Sequence, residues 1–155
     1  MESNPLTRWL TLGANLGVLL GIILLIVDLD QNRDMMRAQV RHDLAMGIVD
    51  LLQTPAANEQ LADVMHRAIT GGEITPRELF QFHLRTNALL RYWEDVHYQY
   101  RIGLYDEIEV QRHREAGRRA FDRSKRSAEY WCDVRSLYSP EFAAEMDGLK
   151  NTKPC

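Results

Sequence analysis

The sequence predicts an all-α protein, in which an N-terminal transmembrane helix continues into a cytoplasmic helical bundle of about four to five helices. Two observations support this fold class. An uncharged stretch of 18 residues near the N-terminus reads LTLGANLGVLLGIILLIV. The rest of the chain repeats its apolar residues every three or four positions, which is the period of a helix. With 155 residues the chain has room for one modest domain and one anchor.

The uncharged stretch has the length of a membrane span, because 18 to 20 apolar residues match a hydrocarbon thickness of about 30 Å. The segment IVDLDQNRDMM follows it without a small-x-small cleavage site, which favours a retained anchor over a cleaved signal peptide. A buried helix of a soluble protein is the alternative. The predicted organisation is a tail at 1–8, a transmembrane helix at 9–27, a juxtamembrane helix at 28–54, a helical bundle at 55–149 and a tail at 150–155.

Arginine counts beside the span predict its orientation. Arg8 precedes the span, whereas Arg33, Arg37 and Arg41 follow it closely. Basic residues are enriched in the cytoplasmic flanks of membrane helices. We therefore expect the N-terminus outside and the C-terminal domain in the cytoplasm.

The net charge and the number of cysteines limit which partners and which compartment we expect for this chain. The formal net charge of −3 argues against a globally basic nucleic-acid binder, so nucleic acid is not an expected partner, but this charge does not exclude a local basic patch. Two cysteines, Cys132 and Cys155, are too few for a disulfide framework. We expect two free thiols that face a reducing compartment, with a single bridge as the alternative.

A glycine stripe predicts self-association of the anchor. Gly13, Gly17 and Gly21 are spaced four residues apart, so they share one face of a helix. A face without side chains lets a second backbone approach closely, which is how many membrane helices associate. Asn15 is expected beside this stripe, where it needs a hydrogen-bond partner in hydrocarbon. The alternative is that glycine is simply common in membrane helices and that Asn15 lies shallow.

A homo-oligomeric cation channel is a second hypothesis for the same segment. Asn15 would line the pore, and Asp28 and Asp30 would form a ring of carboxylates at its mouth. Acidic rings concentrate cations at the entrances of cation channels. Oligomer size separates this hypothesis from the first, because a glycine-mediated dimer cannot enclose a pore.

Local signals divide the remaining chain into helices. No glycine or proline interrupts residues 22–46, so the anchor is expected to continue as one long helix that ends near Pro55. The sequence TPRE predicts a capping box with proline at the first helical position, and Gly71 predicts the end of the helix before it. The later helices are predicted at about 58–70, 75–102, 106–125, 128–137 and, from SPEF, up to about 147.

Three segments carry a resemblance to a known family. They are NLGVLLGIILLIVDLDQNRDMMRAQ, LRYWEDVHYQYRIGLYDEIEV and YWCDVRSLYSPEFAAEMD. These segments lie between about Trp9 and Asp147, and over this range the chain resembles a family of small bacterial membrane-anchored proteins without an assigned function. The resemblance implies an anchor followed by helices at a bacterial inner membrane, and it implies no chemistry. Family members tend to carry another tryptophan where this chain has EIEVQRH.

Metal binding is a third hypothesis. Two acid-x-x-His pairs have the spacing of di-iron ligands in helical bundles, and they are Asp63 with His66 and Glu94 with His97. The full set of helix-borne carboxylates is missing, and Arg91 and Arg101 offer Glu94 an ordinary salt bridge. No nucleophile elbow and no phosphate-binding loop occurs in the sequence, so we expect neither an enzyme nor a bound cofactor.

A basic run, QRHREAGRRAFDRSKR, predicts contact with anionic lipid headgroups. Its cations are Arg112, Arg114, Arg118, Arg119, Arg123, Lys125 and Arg126. The alternative is a solvated helix face that pairs with acidic neighbours. The leading interpretation of the whole chain is a membrane-anchored, self-associating helical scaffold or accessory protein that binds a membrane or cytoplasmic partner.

Overall fold

The protein is all-helical in a computed structural model that describes residues 5–149 and 155. Within that part of the chain six α-helices and one 3-10 turn occur and no strand does, so the predicted fold class is confirmed. The elements are α1 (Pro5–Ala56), α2 (Glu59–Thr70), α3 (Pro76–Arg101), α4 (Glu107–Arg123), α5 (Lys125–Val134), the 3-10 turn (Arg135–Leu137) and α6 (Pro140–Leu149). Residues 5–8 of the tail predicted at 1–8 belong to α1, and residues 1–4 lie outside the described residues. Of the tail predicted at 150–155, the structure describes residue 155 alone.

The chain divides into two compact units, Met1–Gln39 and Val40–Cys155. The boundary falls inside α1, within the predicted juxtamembrane helix. In the first unit every described side chain is exposed, including the whole uncharged stretch. Helix α1 is long enough and apolar enough to cross a membrane. The second unit, called here the helical domain, contains all the residues that are buried within the described part of the chain.

The predicted start and stop signals act at the ends of α1, α2 and α3. Thr75 Oγ1 accepts a hydrogen bond from the Glu78 backbone N–H at 3.3 Å, and Glu78 Oε2 accepts one from the Thr75 N–H at 2.7 Å. Both bonds of the capping box are therefore present. Gly71 ends α2 with φ of +82°, a left-handed conformation that glycine adopts without strain. Helix α1 ends one residue after Pro55.

The boundary between α4 and α5 differs from the prediction. We expected α4 to extend to about residue 125 and α5 to begin at about 128, but Ser124 alone separates the two helices. Its hydroxyl accepts a hydrogen bond from the Ser127 N–H, which caps α5. Ser124 is buried, so this cap lies inside the domain and fixes the turn between two packed helices. The predicted end of α5 at 137 is instead the 3-10 turn.

Aromatic side chains of α3, α5 and α6 form the centre of the helical domain. Trp131 is fully buried, and its ring centroid lies 5.4 Å from Tyr138 and 5.9 Å from Phe142. Leu90 and Trp93 of α3 belong to the same cluster. These aromatic side chains are therefore packing residues of the core. A smaller cluster joins Leu44 of α1 to α3 and α4.

The prediction of two free thiols is wrong, because Cys132 and Cys155 form a disulfide. Cys132 lies on α5, and its Cα atom is 5.2 Å from that of the C-terminal residue. This separation falls within the range that a disulfide requires. The single bridge that the sequence left as the alternative is therefore present, and only the fold shows that two cysteines 23 positions apart come together.

Candidate functional site: an arginine-lined apolar pocket

The helical domain contains a cavity of about 860 Å³ between residues of α2, α3, α4 and α5, with Pro55 of α1 also at its wall. Cavities that bind small molecules typically measure about 300–1,000 Å³. Most of the wall is apolar. The apolar side chains that line it include Met65, Ile69, Phe82, Leu89, Leu90, Trp93, Ala116, Ala120 and Phe121.

One face of α4 supplies the charged part of this wall. Its lining residues recur every three or four positions, so they share a single side of the helix. This side carries Arg112, Glu115, Ala116, Arg119, Ala120 and Arg123, and Gln111 and Phe121 of α4 also line the pocket. With Arg85 of α3, the pocket has four arginines against one glutamate, although the chain as a whole carries a net charge of −3.

Arg85 is held at the pocket by a backbone carbonyl that Pro55 leaves free. A residue at position 55 would normally donate its N–H to the Leu51 carbonyl oxygen, but proline has no N–H. Arg85 Nη2 donates to that oxygen instead. Arg85 and Pro55 therefore stand together at the wall of the pocket.

The second terminal nitrogen of Arg85 is unsatisfied. Nη1 is buried, and no group of the described chain accepts a hydrogen bond from it. Burial lowers the pKa of the Arg85 guanidinium, and no carboxylate of the described residues counteracts this effect. A partly buried cation without an anionic partner is costly, so the site is prepared to accept a negative group.

Several members of the predicted lipid-contact set have protein partners. Arg114 contacts Glu145 at 2.8 Å and Glu107 at 3.3 Å. Arg118 and Arg119 each contact Glu115 at 2.8 Å. Hydrogen bonds from Arg118 and then Arg119 lower the pKa of Glu115 to about 2.

The last two cations of that set also have partners. Lys125 lies 3.4 Å from Glu129 on the exposed side of α5. Arg126 donates to the carbonyl oxygens of Ala68 at 3.1 Å and Gly72 at 2.9 Å, which satisfies acceptors at the end of α2. Of the seven cations, Arg112 and Arg123 have neither an ion pair nor a side-chain hydrogen bond with the described residues, and both line the pocket.

The structure does not bring the proposed metal ligands together. Glu94 accepts a hydrogen bond from the Ser139 N–H at 2.9 Å and pairs with Arg91 at 2.7 Å.

The other three proposed ligands also lie apart. His97 Nδ1 lies 3.1 Å from Glu145, and Asp63 bonds to an arginine on its own helix. His66 is exposed. No group of three potential ligands occurs among the described histidine, cysteine, aspartate and glutamate residues. Arg101, the other expected partner of Glu94, contacts Glu141.

The glycine stripe of α1 is open. A side-chain carbon placed at Gly13, Gly17 or Gly21 would meet no atom within 4 Å. The expectation that Asn15 lies beside the stripe is wrong, because α1 is a regular helix here. Two residues correspond to about 200° of rotation, so Asn15 lies on the opposite face from Gly13 and Gly17.

Sequence reasoning missed the pocket and Arg85. The basic run of α4 was visible, but the apolar walls come from four helices that are separated along the chain. The available signal for Arg85 was an arginine within the apolar segment FHLRTNALLRYW, which a surface position explains equally well. No family model, curated protein or solved structure matches the chain, so the resemblance to a bacterial membrane-anchored family stays a prediction.

Proposed function

We propose that the chain is a membrane-anchored helical accessory protein that self-associates through the glycine face of α1. The observation that carries this proposal is the uncharged stretch, 18 residues long, whose side chains are all exposed. Exposure of so much apolar surface is unfavourable in water but suits a lipid environment. The helical domain would then act at the membrane, where it binds a lipid or a protein partner.

The open glycines support self-association in particular. Without side chains at Gly13, Gly17 and Gly21, two α1 helices can approach until their backbones touch. The opposite face of the helix carries Asn15, which therefore cannot take part in the same two-helix contact. A dimer built on the stripe leaves Asn15 available to a third helix or to a lipid headgroup.

A cation channel is the second candidate, favoured by Asp28 and Asp30 directly after the apolar stretch. Its geometry is less favourable. Thirteen residues separate Asn15 from Asp28, which corresponds to about 220° around a straight helix. One face of α1 could not place both side chains toward a pore. The scaffold is therefore favoured over the channel.

The proposed location is a bacterial inner membrane, as the resemblance implies. Two features bear on the orientation. Arg33, Arg37 and Arg41 favour a cytoplasmic helical domain, but positive charges bias an orientation without fixing it. The disulfide between Cys132 and Cys155 favours an oxidising compartment, because reducing compartments keep thiols reduced. We therefore propose that the helical domain lies on the outer side, in place of the cytoplasmic side that the arginines predict.

The mass of the full-length complex in lipid nanodiscs tests self-association. The wild-type chain is expected as a dimer, and Gly17→Ile is expected to yield monomers because its side chain separates the two backbones. Leu19→Ile is the matched control, since it places the same side chain on the opposite face. A ring of four or more chains would favour the channel, and a wild-type monomer would refute self-association.

Alkylation in intact cells tests the orientation. A membrane-impermeant maleimide is expected to label the chain after treatment with a membrane-impermeant reductant, and not before. Labelling that requires cell lysis would return the domain to the cytoplasm.

A further inference from the structure

We propose that the arginine-lined pocket of the helical domain binds a single-chain anionic amphiphile of the fatty-acid class. The inference rests on the pocket alone and does not depend on self-association through α1. Its first support is the chemical division of the wall. Phe82, Leu89 and Phe121 belong to its apolar part, whereas Arg112 and Arg123 are charged and exposed. A ligand that matches both parts has an apolar body and an anionic end.

The second support is uncompensated positive charge. Glu115 is the carboxylate in the wall, and Arg118 and Arg119 already bind its oxygens. Arg85 has a buried Nη1 atom that finds no acceptor within the described chain. A ligand carboxylate would supply this acceptor, and hydrogen bonds between ionised groups are roughly twice as strong as neutral ones.

The size and polarity of the pocket favour one hydrocarbon chain over other anions. Inorganic phosphate or a nucleotide would leave a large apolar wall of leucine and phenylalanine uncovered. A hydrocarbon chain covers that wall, and each methylene that it buries strengthens binding roughly fourfold. The cavity of about 860 Å³ lies within the range of small-molecule sites, so one chain suits it better than a protein surface.

Quenching of Trp93 tests the proposal, because this side chain lines the pocket. The full chain carries Trp9→Phe, which removes the tryptophan in the apolar stretch, and it is embedded in nanodiscs. The probes are dodecanoate and dodecanol, each brominated at its terminal carbon so that it quenches nearby tryptophan. We expect saturable quenching by the acid, at least tenfold weaker binding of the alcohol, and loss of the signal in Trp93→Phe.

Charge and shape variants identify the site. Arg85→Gln is expected to weaken binding of the acid at least tenfold, because it removes the cation that lacks an anionic partner. Arg77→Gln is the matched control, since it removes an exposed arginine from the same helix outside the pocket. Ala116→Trp fills the pocket from an exposed position of α4 and is expected to abolish binding. If Arg85→Gln fails to fold, Ala116→Trp still tests whether the ligand binds in this pocket.

Three results would overturn the proposal. Acid and alcohol could bind equally, which would show that the arginines do not recognise the ligand. Ala116→Trp could bind as wild type does, which would place the probe elsewhere. Trp93 could become inaccessible when a nanodisc holds two chains, which would assign the pocket to a second copy. The mass measurement that tests self-association is separate, so failure of either proposal leaves the other standing.

Discussion

Reduction of the disulfide should destabilise the helical domain by about 3 kcal/mol. Cys132 and Cys155 are 23 positions apart, and the chain-entropy model gives about 3 kcal/mol for closing a loop of this order. The bridge ties the C-terminal residue to α5, directly beside the fully buried Trp131. Helix α6 lies within the loop that the bridge closes, and Trp131 Nε1 of α5 donates to Asp147 of α6 in a part-buried hydrogen bond of 2.8 Å.

Thermal unfolding of the full chain in nanodiscs measures this effect, with and without dithiothreitol. For a domain of this size 1 kcal/mol shifts the melting temperature by several degrees, so we expect a decrease of roughly 10 °C. The double variant Cys132→Ser with Cys155→Ser is the control, and dithiothreitol should leave its melting temperature unchanged. Hydrogen exchange of residues 140–149 should accelerate on reduction, because α6 lies within the loop that the bridge closes.

An unchanged melting temperature on reduction would refute the entropic reasoning, provided that the bridge is present beforehand. Labelling of the unreduced protein by a maleimide would refute the bridge itself. In that case the argument for an oxidising compartment would also fail, and the arginines beside the span would again decide the orientation.

Three further predictions concern the helical domain. Phe142→Ala should destabilise it by about 3–5 kcal/mol in urea unfolding, because the ring is 1 % exposed, whereas Phe80→Ala at 62 % exposure should change stability by less than about 0.5 kcal/mol. Hydrogen bonds from Arg67 lower the pKa of Glu78 from 4.5 to about 2, so its stabilising contribution is present above pH 4.5 and is lost as the pH falls toward 2. Glu78→Gln should therefore lose less stability than wild type between pH 5 and pH 2. Gly117→Ala should be neutral or stabilising by up to about 1 kcal/mol in thermal unfolding, because the added carbon would lie 3.4 Å from Leu149 and 3.7 Å from Trp93.

The sequence predicted the fold well where helix ends depend on local chemistry. The capping box at Thr75 and the left-handed Gly71 each need only neighbours within a few residues, and both act as predicted. The break between α4 and α5 was predicted at about 125–128, but the structure places it at Ser124. Ser124 lies between Arg123 and Lys125, so no local apolar pattern marks the position of this cap. A cap of this kind becomes decisive only when both helices pack into the same core.

The pocket could not be predicted for a related physical reason. Arg85 is placed by a carbonyl of α1 that Pro55 leaves free, and that contact joins positions 34 residues apart. The apolar walls likewise come from helices that are distant along the chain. The sequence did contain the basic run, but the partners of its cations depend on the fold. Arg114 contacts Glu145 of α6, a pairing that no local pattern indicates.

Counting the charges of the basic run along the sequence overstates the positive surface of this domain, because several of its cations pair with carboxylates in the folded chain. Arg118 lies beside Glu115 and Asp122 on its own helix, at spacings of three and four residues. Such pairs contribute little to stability, but they satisfy the guanidinium and make it less available to lipid headgroups. Arg112 and Arg123 are eleven residues apart, which is close to three helical turns, so they share one face with the pocket. The unpaired charge is therefore concentrated beside apolar surface. This combination favours an amphiphile over a flat anionic membrane.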